Sequence, residues 1–208
     1  MEITAIKKGK RHLTAVTLSN GEELSLSTEF FEEQLLNTGS SLSEEDVNKL
    51  IKGSNNRRAF SRSVWQIEQG DLSQKSLEQK LKNAGFGSEA ITYAVNRMKE
   101  LGLIDDAALA ERLAERMLAS CISSREAVNK LVQKGIKRET AVAAVNSFEC
   151  EPRAQIKALI YKKYAGKLTN PENTKKVFAA LVRKGFAYSD IKAELSAYSD
   201  EVKYSEDE

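Results

Sequence analysis

The sequence predicts a mainly α-helical chain, built as three tandem three-helix repeats in an elongated, curved array behind a small N-terminal β-hairpin with helices. Three observations predict it. Similar residues recur with a period of fifty, glycines stand at 85, 135 and 185, and only two prolines and eleven glycines interrupt 208 residues. Hydrophobic residues make up 41% and charged residues 30%, a mix that supports a core and favours amphipathic helices over a loop-rich sandwich.

The first fifty-three residues have a different texture. Leu13, Val16 and Leu18, then Leu24 and Leu26, partly alternate around Asn20-Gly21. Asn-Gly readily adopts positive φ at both central positions, so a type I′ hairpin is expected. Ile3 to Ile6 could add a third strand. From Thr28 the apolar spacing becomes helical and runs through Phe30, Phe31, Leu35 and Leu36 to Gly39. Ser43 then caps a second short helix, for which Gly53 is the expected stop.

The repeats follow. Lys80-Leu81-Lys82-Asn83-Ala84-Gly85-Phe86 aligns without gaps with Lys130 to Ile136 and with Ala180 to Phe186. In each copy a helix should end with glycine in the left-handed C′ position. The next apolar residue then folds back onto a leucine four positions before the glycine, the Schellman arrangement. The expected boundaries are 1–53 for the hairpin and its helices, then 54–106, 107–150 and 151–198 for the copies, and 199–208 for a disordered acidic tail. First helices are expected at Ala59–Gln69, Ala107–Leu118 and Pro152–Tyr164. Ser73, a capping box at Ser123 to Glu126, and Asn170-Pro171 should start the second helices. Ser88 and Ser189 are natural caps for the third helices, with no equivalent at Lys137-Arg138. Asp106 is placed to cap the middle copy.

Lys plus Arg number 32 and Asp plus Glu 30, a near balance that hides an uneven distribution. Residues 153–192 carry ten basic side chains against only Glu172 and Asp190. Such a block fits either a solvated helical face or a footprint for a polyanion. The candidate binding residues are Lys157, Lys162, Lys163, Lys167, Lys175, Lys176, Arg183 and Lys184 in the third copy. Arg112, Arg116, Arg125, Lys130 and Lys134 extend them into the second. Arg57, Arg58 and Arg62 add charge to the first, and Lys7-Lys8-Gly9-Lys10-Arg11 forms a basic knot near the start. Trp65, Tyr161 and Tyr164 have either of two roles, base stacking or core packing, and their helical spacing favours the core.

Enzymatic chemistry finds little support. His12, the single histidine, lies in the expected strand without a partner for acid–base work. Asp105-Asp106 is too small a ligand set for a metal and is explained by capping. There is no phosphate-binding glycine loop and no zinc-protease motif. No cofactor is expected. Cys121 and Cys150 read as small packed groups in a reducing, cytoplasmic setting. MEITAIKKGK lacks the apolar stretch of a signal peptide, and no apolar run has the length of a membrane span. A helix–turn–helix reading of each copy leaves direct, sequence-tolerant DNA binding open as an alternative.

The repeated K-L-x-x-x-G-[FI] pattern, followed by L-G-L-I-D-D-x-x-x-A from Leu101 to Ala110, resembles the RecX family of regulatory proteins. The likeness covers about 57 to 195. It rests on a structural signature of Leu81, Gly85, Phe86, Gly102, Ile104, Asp105, Asp106, Leu131, Gly135, Leu181 and Gly185. Leu109 departs from it, standing where the family pattern has an aromatic. The resemblance implies a monomeric modulator of the RecA recombinase that is not an enzyme. It would lodge in the groove of the RecA–single-stranded-DNA filament and inhibit ATP hydrolysis, strand exchange and recombination, damping the DNA-damage (SOS) response. Contact with single-stranded DNA would be weak or made through RecA.

Overall fold

The computed structural model describes residues 1–10, 12–168 and 170–206, the last six through their backbone alone. Ten α-helices and one three-stranded sheet are present among them, and the chain divides into two compact units, Met1–Asp105 and Asp106–Glu208.

In the first unit, β1 (Ile3–Lys8), β2 (Leu13–Leu18) and β3 (Glu23–Ser27) form an antiparallel meander. Val16 faces Leu24, and Thr14 faces Leu26. Thr14, Val16 and Leu18 turn inward, which leaves Leu13 out of phase on the other face. The hairpin departs from the expected type I′ turn. Leu18 binds Glu22 across a three-residue loop, the Gly21 N–H reaches the Leu18 carbonyl at 2.9 Å, and only Gly21 has positive φ. This is the type I turn with a left-handed glycine bulge. The Asn20 side chain fixes it by accepting the Glu22 N–H at 3.0 Å. His12 lies in the turn before β2 with φ 59°, not in a strand.

α1 (Thr28–Glu33) ends well short of Gly39, because Leu35 enters the left-handed region at φ 54°. Ser43 starts α2 (Glu44–Glu68) with a complete capping box, its hydroxyl accepting the Asp46 N–H while the Asp46 carboxylate accepts the Ser43 N–H. α2 then continues for 25 residues. Gly53 therefore does not stop a helix, and the boundary expected at 53/54 falls inside one. Gly53 serves close packing instead, since a methyl group there would collide with the Phe30 ring. The buried Ser54 hydroxyl, accepting the Ser27 N–H at 2.7 Å, ties α2 to the end of β3.

The rest of α2 is the first helix of copy one, with α3 (Gln74–Asn83) and α4 (Ser88–Glu100). Leu77, Leu81, Ala94 and Met98 are fully buried in its core, and Ile104 closes it. The second unit holds copy two, α5 (Asp106–Ala119), α6 (Ser124–Gln133) and α7 (Arg138–Asn146), around Ala110, Ala127, Leu131 and Ala141. Leu109 fills that core where the family pattern has an aromatic. Copy three comprises α8 (Pro152–Leu159), a π-helical turn (Ile160–Tyr164), a short 3₁₀ turn (Ala165–Lys167), α9 (Pro171–Arg183) and α10 (Tyr188–Glu206).

The glycine turns are as the period requires. Gly85, Gly135 and Gly185 have φ of 87°, 90° and 87°. Phe86, Ile136 and Phe186 each donate their N–H to the carbonyl of Leu81, Leu131 and Leu181 at 3.2, 3.2 and 3.4 Å. Gly102 ends α4 in the same way, at φ 66°. The non-glycine residue Cys121, at φ 54°, ends α5 with the Ile122 N–H on the Met117 carbonyl.

Several starts differ from expectation. Ser88 lies inside α4, with Gly87 at the cap, and α10 begins at Tyr188, ahead of Ser189. Lys137 likewise caps α7 through its backbone alone, so no third helix in any copy starts on a serine hydroxyl. The Schellman turn already aims the chain into each of these helices. Asp106 is the first residue of α5, one position inside the helix it was expected to cap. The Ser123 hydroxyl accepts the Glu126 N–H, but the Glu126 carboxylate lies 3.4 Å from Lys130 instead of closing a capping box. α10 is helical to Glu206, past position 199 where the acidic tail is expected to begin. No glycine or proline interrupts 188–206, and Tyr198 anchors the helix edge-on against Tyr161 with ring centres 5.3 Å apart. Asp207 and Glu208 lie outside the described residues, as does Arg11 of the basic knot.

Candidate binding surface

The third copy gathers its cations around the irregular end of its first helix. Ile156, Leu159 and Ile160 face the core. A regular helix would next turn position 163 inward and bury a lysine. The π-helical turn adds one residue to the turn, so that Tyr164 enters the core and Tyr161, Lys162 and Lys163 stay outside. The aromatic rings steady the ammonium groups: Lys163 Nζ lies 6.0 Å from the Tyr164 ring centre, and Lys157 Nζ 5.8 Å from that of Tyr161.

Across from this turn runs α9, started by Asn170, whose side chain accepts the Asn173 N–H at 2.9 Å, with Pro171 in the first helical position. Val177 and Leu181 point inward, and Lys176 and Arg183, seven residues apart, share one flank. Between the two elements lies an open groove lined by Tyr164, Lys167, Asn173, Lys176, Val177 and Ala180. It brings Lys167 and Lys176 together. Lys176 also pairs with Glu172 at 3.0 Å, a surface contact of modest strength. Lys175 is exposed on the back of α9, and Lys184, half-buried, lends its carbonyl to a contact with copy two. Arg153 contributes less free charge than its place in the sequence implies, because Glu194, 9% exposed, holds its Nε at 2.8 Å.

The basic residues of the second copy are spread over two elements. Arg112 and Arg116 lie one turn apart on α5. Arg125 is in the first turn of α6, with Lys130 and Lys134 one turn apart further along. Lys130 faces Glu126. The chain thus brings Lys167 and Lys176 to one groove, while the other candidate cations lie elsewhere on copies two and three.

Of the three candidate aromatics, only Tyr164 is a core residue, at 7% exposed. Tyr161 is 46% and Trp65 45% exposed, so core packing does not hold for these two. Trp65 lies in the first unit, in a cleft of about 860 Å³ with His12, Arg58, Arg62 and Phe86 among its lining residues. Arg58, Arg62 and Trp65 follow the i, i+4, i+7 spacing of a single helix face, which is the signal that could have marked them as a group. Cys121 packs on the core of copy three and Cys150 on that of copy two, both as free thiols. Among the described residues no cluster of histidine, cysteine and carboxylate side chains could hold a metal ion. No helix among them is long and apolar enough to cross a membrane.

No family model matches the chain. Individual proteins do. It is 25% identical over 194 residues to a protein from Streptococcus pneumoniae serotype 19F (strain G54) named Regulatory protein RecX, covering 92% of this chain and 75% of that one. A Clostridium botulinum (strain Alaska E43) protein of the same name is 23% identical over 198 residues, covering 92% and 93%. A crystal structure of a regulatory protein RecX superimposes with a TM-score of 0.68 over 93% of this chain and 98% of its own, at 21% identity. The resemblance read from the glycine-punctuated copies and from Leu101 to Ala110 is thereby borne out. Along nearly its whole length, this chain is a relative of the RecX regulatory proteins and has their fold.

Proposed function

We propose that this chain is a regulator of the RecA recombinase, acting on the RecA–single-stranded-DNA filament and inhibiting its ATP hydrolysis, strand exchange and recombination. The observation that carries the reading is its similarity to proteins named Regulatory protein RecX over more than nine-tenths of its length. The exposed cations of copies two and three support it, because a filament of protein and nucleic acid presents a long acidic surface to such a face. The groove of Tyr164, Lys167 and Lys176 brings two of those cations together. In this reading the chain works as a cytoplasmic monomer without a cofactor, and its three helical copies are its modules of recognition.

Co-sedimentation with RecA assembled on circular single-stranded DNA tests this. The wild-type chain should pellet with the filament, and the Lys167→Glu, Lys176→Glu double variant should pellet at least tenfold less well at equal concentration. Equal pelleting of the two chains would remove the groove from the account, and absence of wild-type pelleting would remove RecA.

A further inference from the structure

The first unit carries a second cationic and aromatic surface. In copy three, the glycine turn is covered by the copy before it: a methyl group on Gly185 would collide with the Ser123 hydroxyl and lie 3.2 Å from Glu126 Cβ. Copy one has no preceding copy. A methyl group on Gly85 would meet nothing within 4 Å. Phe186 is buried, whereas Phe86 is half-buried and borders the cleft that holds Trp65.

The charge of that cleft is positive where it is unpaired. Its two carboxylates are engaged elsewhere, Glu29 by Arg57 at 2.8 Å and Glu32 by Lys8 at 2.6 Å. Arg58 and Arg62 have no carboxylate partner among the described residues. The Arg62 guanidinium sits 4.1 Å from the centre of the Trp65 ring and holds the indole in place, while nearly half of that side chain stays open to solvent. An exposed, oriented indole beside two unpaired guanidinium groups matches a ligand that joins flat π-systems to regularly spaced anions. Bases stack on the aromatic surface and phosphates meet the arginines.

We propose that the cleft of His12, Arg58, Ser61, Arg62, Trp65 and Phe86 is a docking site for single-stranded nucleic acid, with a base stacked at Trp65 and a neighbouring phosphate on Arg58. The site belongs to the first unit alone and needs no RecA, so it stands or falls separately from the filament reading.

Trp65 is the only tryptophan of the chain, so its fluorescence reports on this cleft alone. Titration of the full-length protein with a fifteen-residue oligothymidylate, without RecA, should give saturable quenching that weakens as salt is raised. Arg58→Glu should raise the dissociation constant at least tenfold with unchanged circular dichroism, and the Lys167→Glu, Lys176→Glu variant should quench like wild type. Four results would overturn the proposal. One is oligonucleotide binding, seen by anisotropy of a labelled strand, with unaltered Trp65 emission. The others are no quenching at all, equal quenching in Arg58→Glu, and quenching by thymidine monophosphate or an acidic peptide at the concentrations effective for the oligonucleotide.

Discussion

The Ser123 hydroxyl donates to the backbone carbonyl of Lys184 at 2.7 Å, across 61 residues of sequence, while accepting the Glu126 N–H at 3.2 Å. One side chain thus caps the second helix of copy two and receives the end of the second helix of copy three. The contact needs Gly185 beside it, where any side chain would occupy the space of the hydroxyl. Ser123→Ala removes both hydrogen bonds and leaves a backbone carbonyl unpaired in a half-buried place, so it should cost about 1–3 kcal/mol. Urea unfolding measures it.

The repeat glycines should differ in tolerance although their φ values agree. Gly85→Ala meets only the backbone strain of the left-handed region, about 1–2 kcal/mol. Gly185→Ala adds the collision with Ser123 and Glu126, and the total should reach about 2–4 kcal/mol. Equal losses in chemical denaturation would show that the two turns are alike in their surroundings.

Leu35 is 85% exposed and holds φ 54°. Nothing in the core depends on its side chain, and asparagine enters that conformation more readily. Leu35→Asn should therefore stabilise the protein by up to about 1 kcal/mol, read as a higher urea midpoint.

Asp46 closes the capping box of α2. The hydrogen bond from the Ser43 side chain, then that from the Ser43 backbone, and then the charge of Lys49, hold its carboxyl below the ordinary carboxylate range. A pKa lower in the folded than in the unfolded chain gives stability that is present above the unfolded value and is lost as pH falls through the folded one. The stability of wild type over Asp46→Asn should be constant from neutrality to about pH 5, then shrink through about pH 4 and below. Thermal unfolding of both proteins across that range shows whether it does.

What the sequence made legible follows from period and from chain stiffness. Gly85, Gly135 and Gly185 announce the turns because few other residues relax there, and Leu81, Leu131 and Leu181 announce the cores because each is inaccessible to solvent. Gly53 misled because glycine in a helix looks the same whether it ends the helix or admits a ring, and only the packed Phe30 distinguishes the two. The π-helical turn was hidden since its effect, Tyr164 inward in place of Lys163, breaks the 3.6-residue period that reveals helices. Trp65 was read as core from spacing, and the open side of copy one, visible only in three dimensions, is what exposes it. The lysines of the third copy were legible as a charged block, but their convergence at Lys167 and Lys176 depends on how α9 meets that turn.

The most direct measurement is the rate of ATP hydrolysis by RecA on single-stranded DNA as this protein is added below one copy per RecA. The account predicts a marked slowing at substoichiometric amounts, with the Lys167→Glu, Lys176→Glu variant needing at least tenfold more protein for the same effect. An unchanged rate, with both proteins folded and the DNA fully coated, would contradict it.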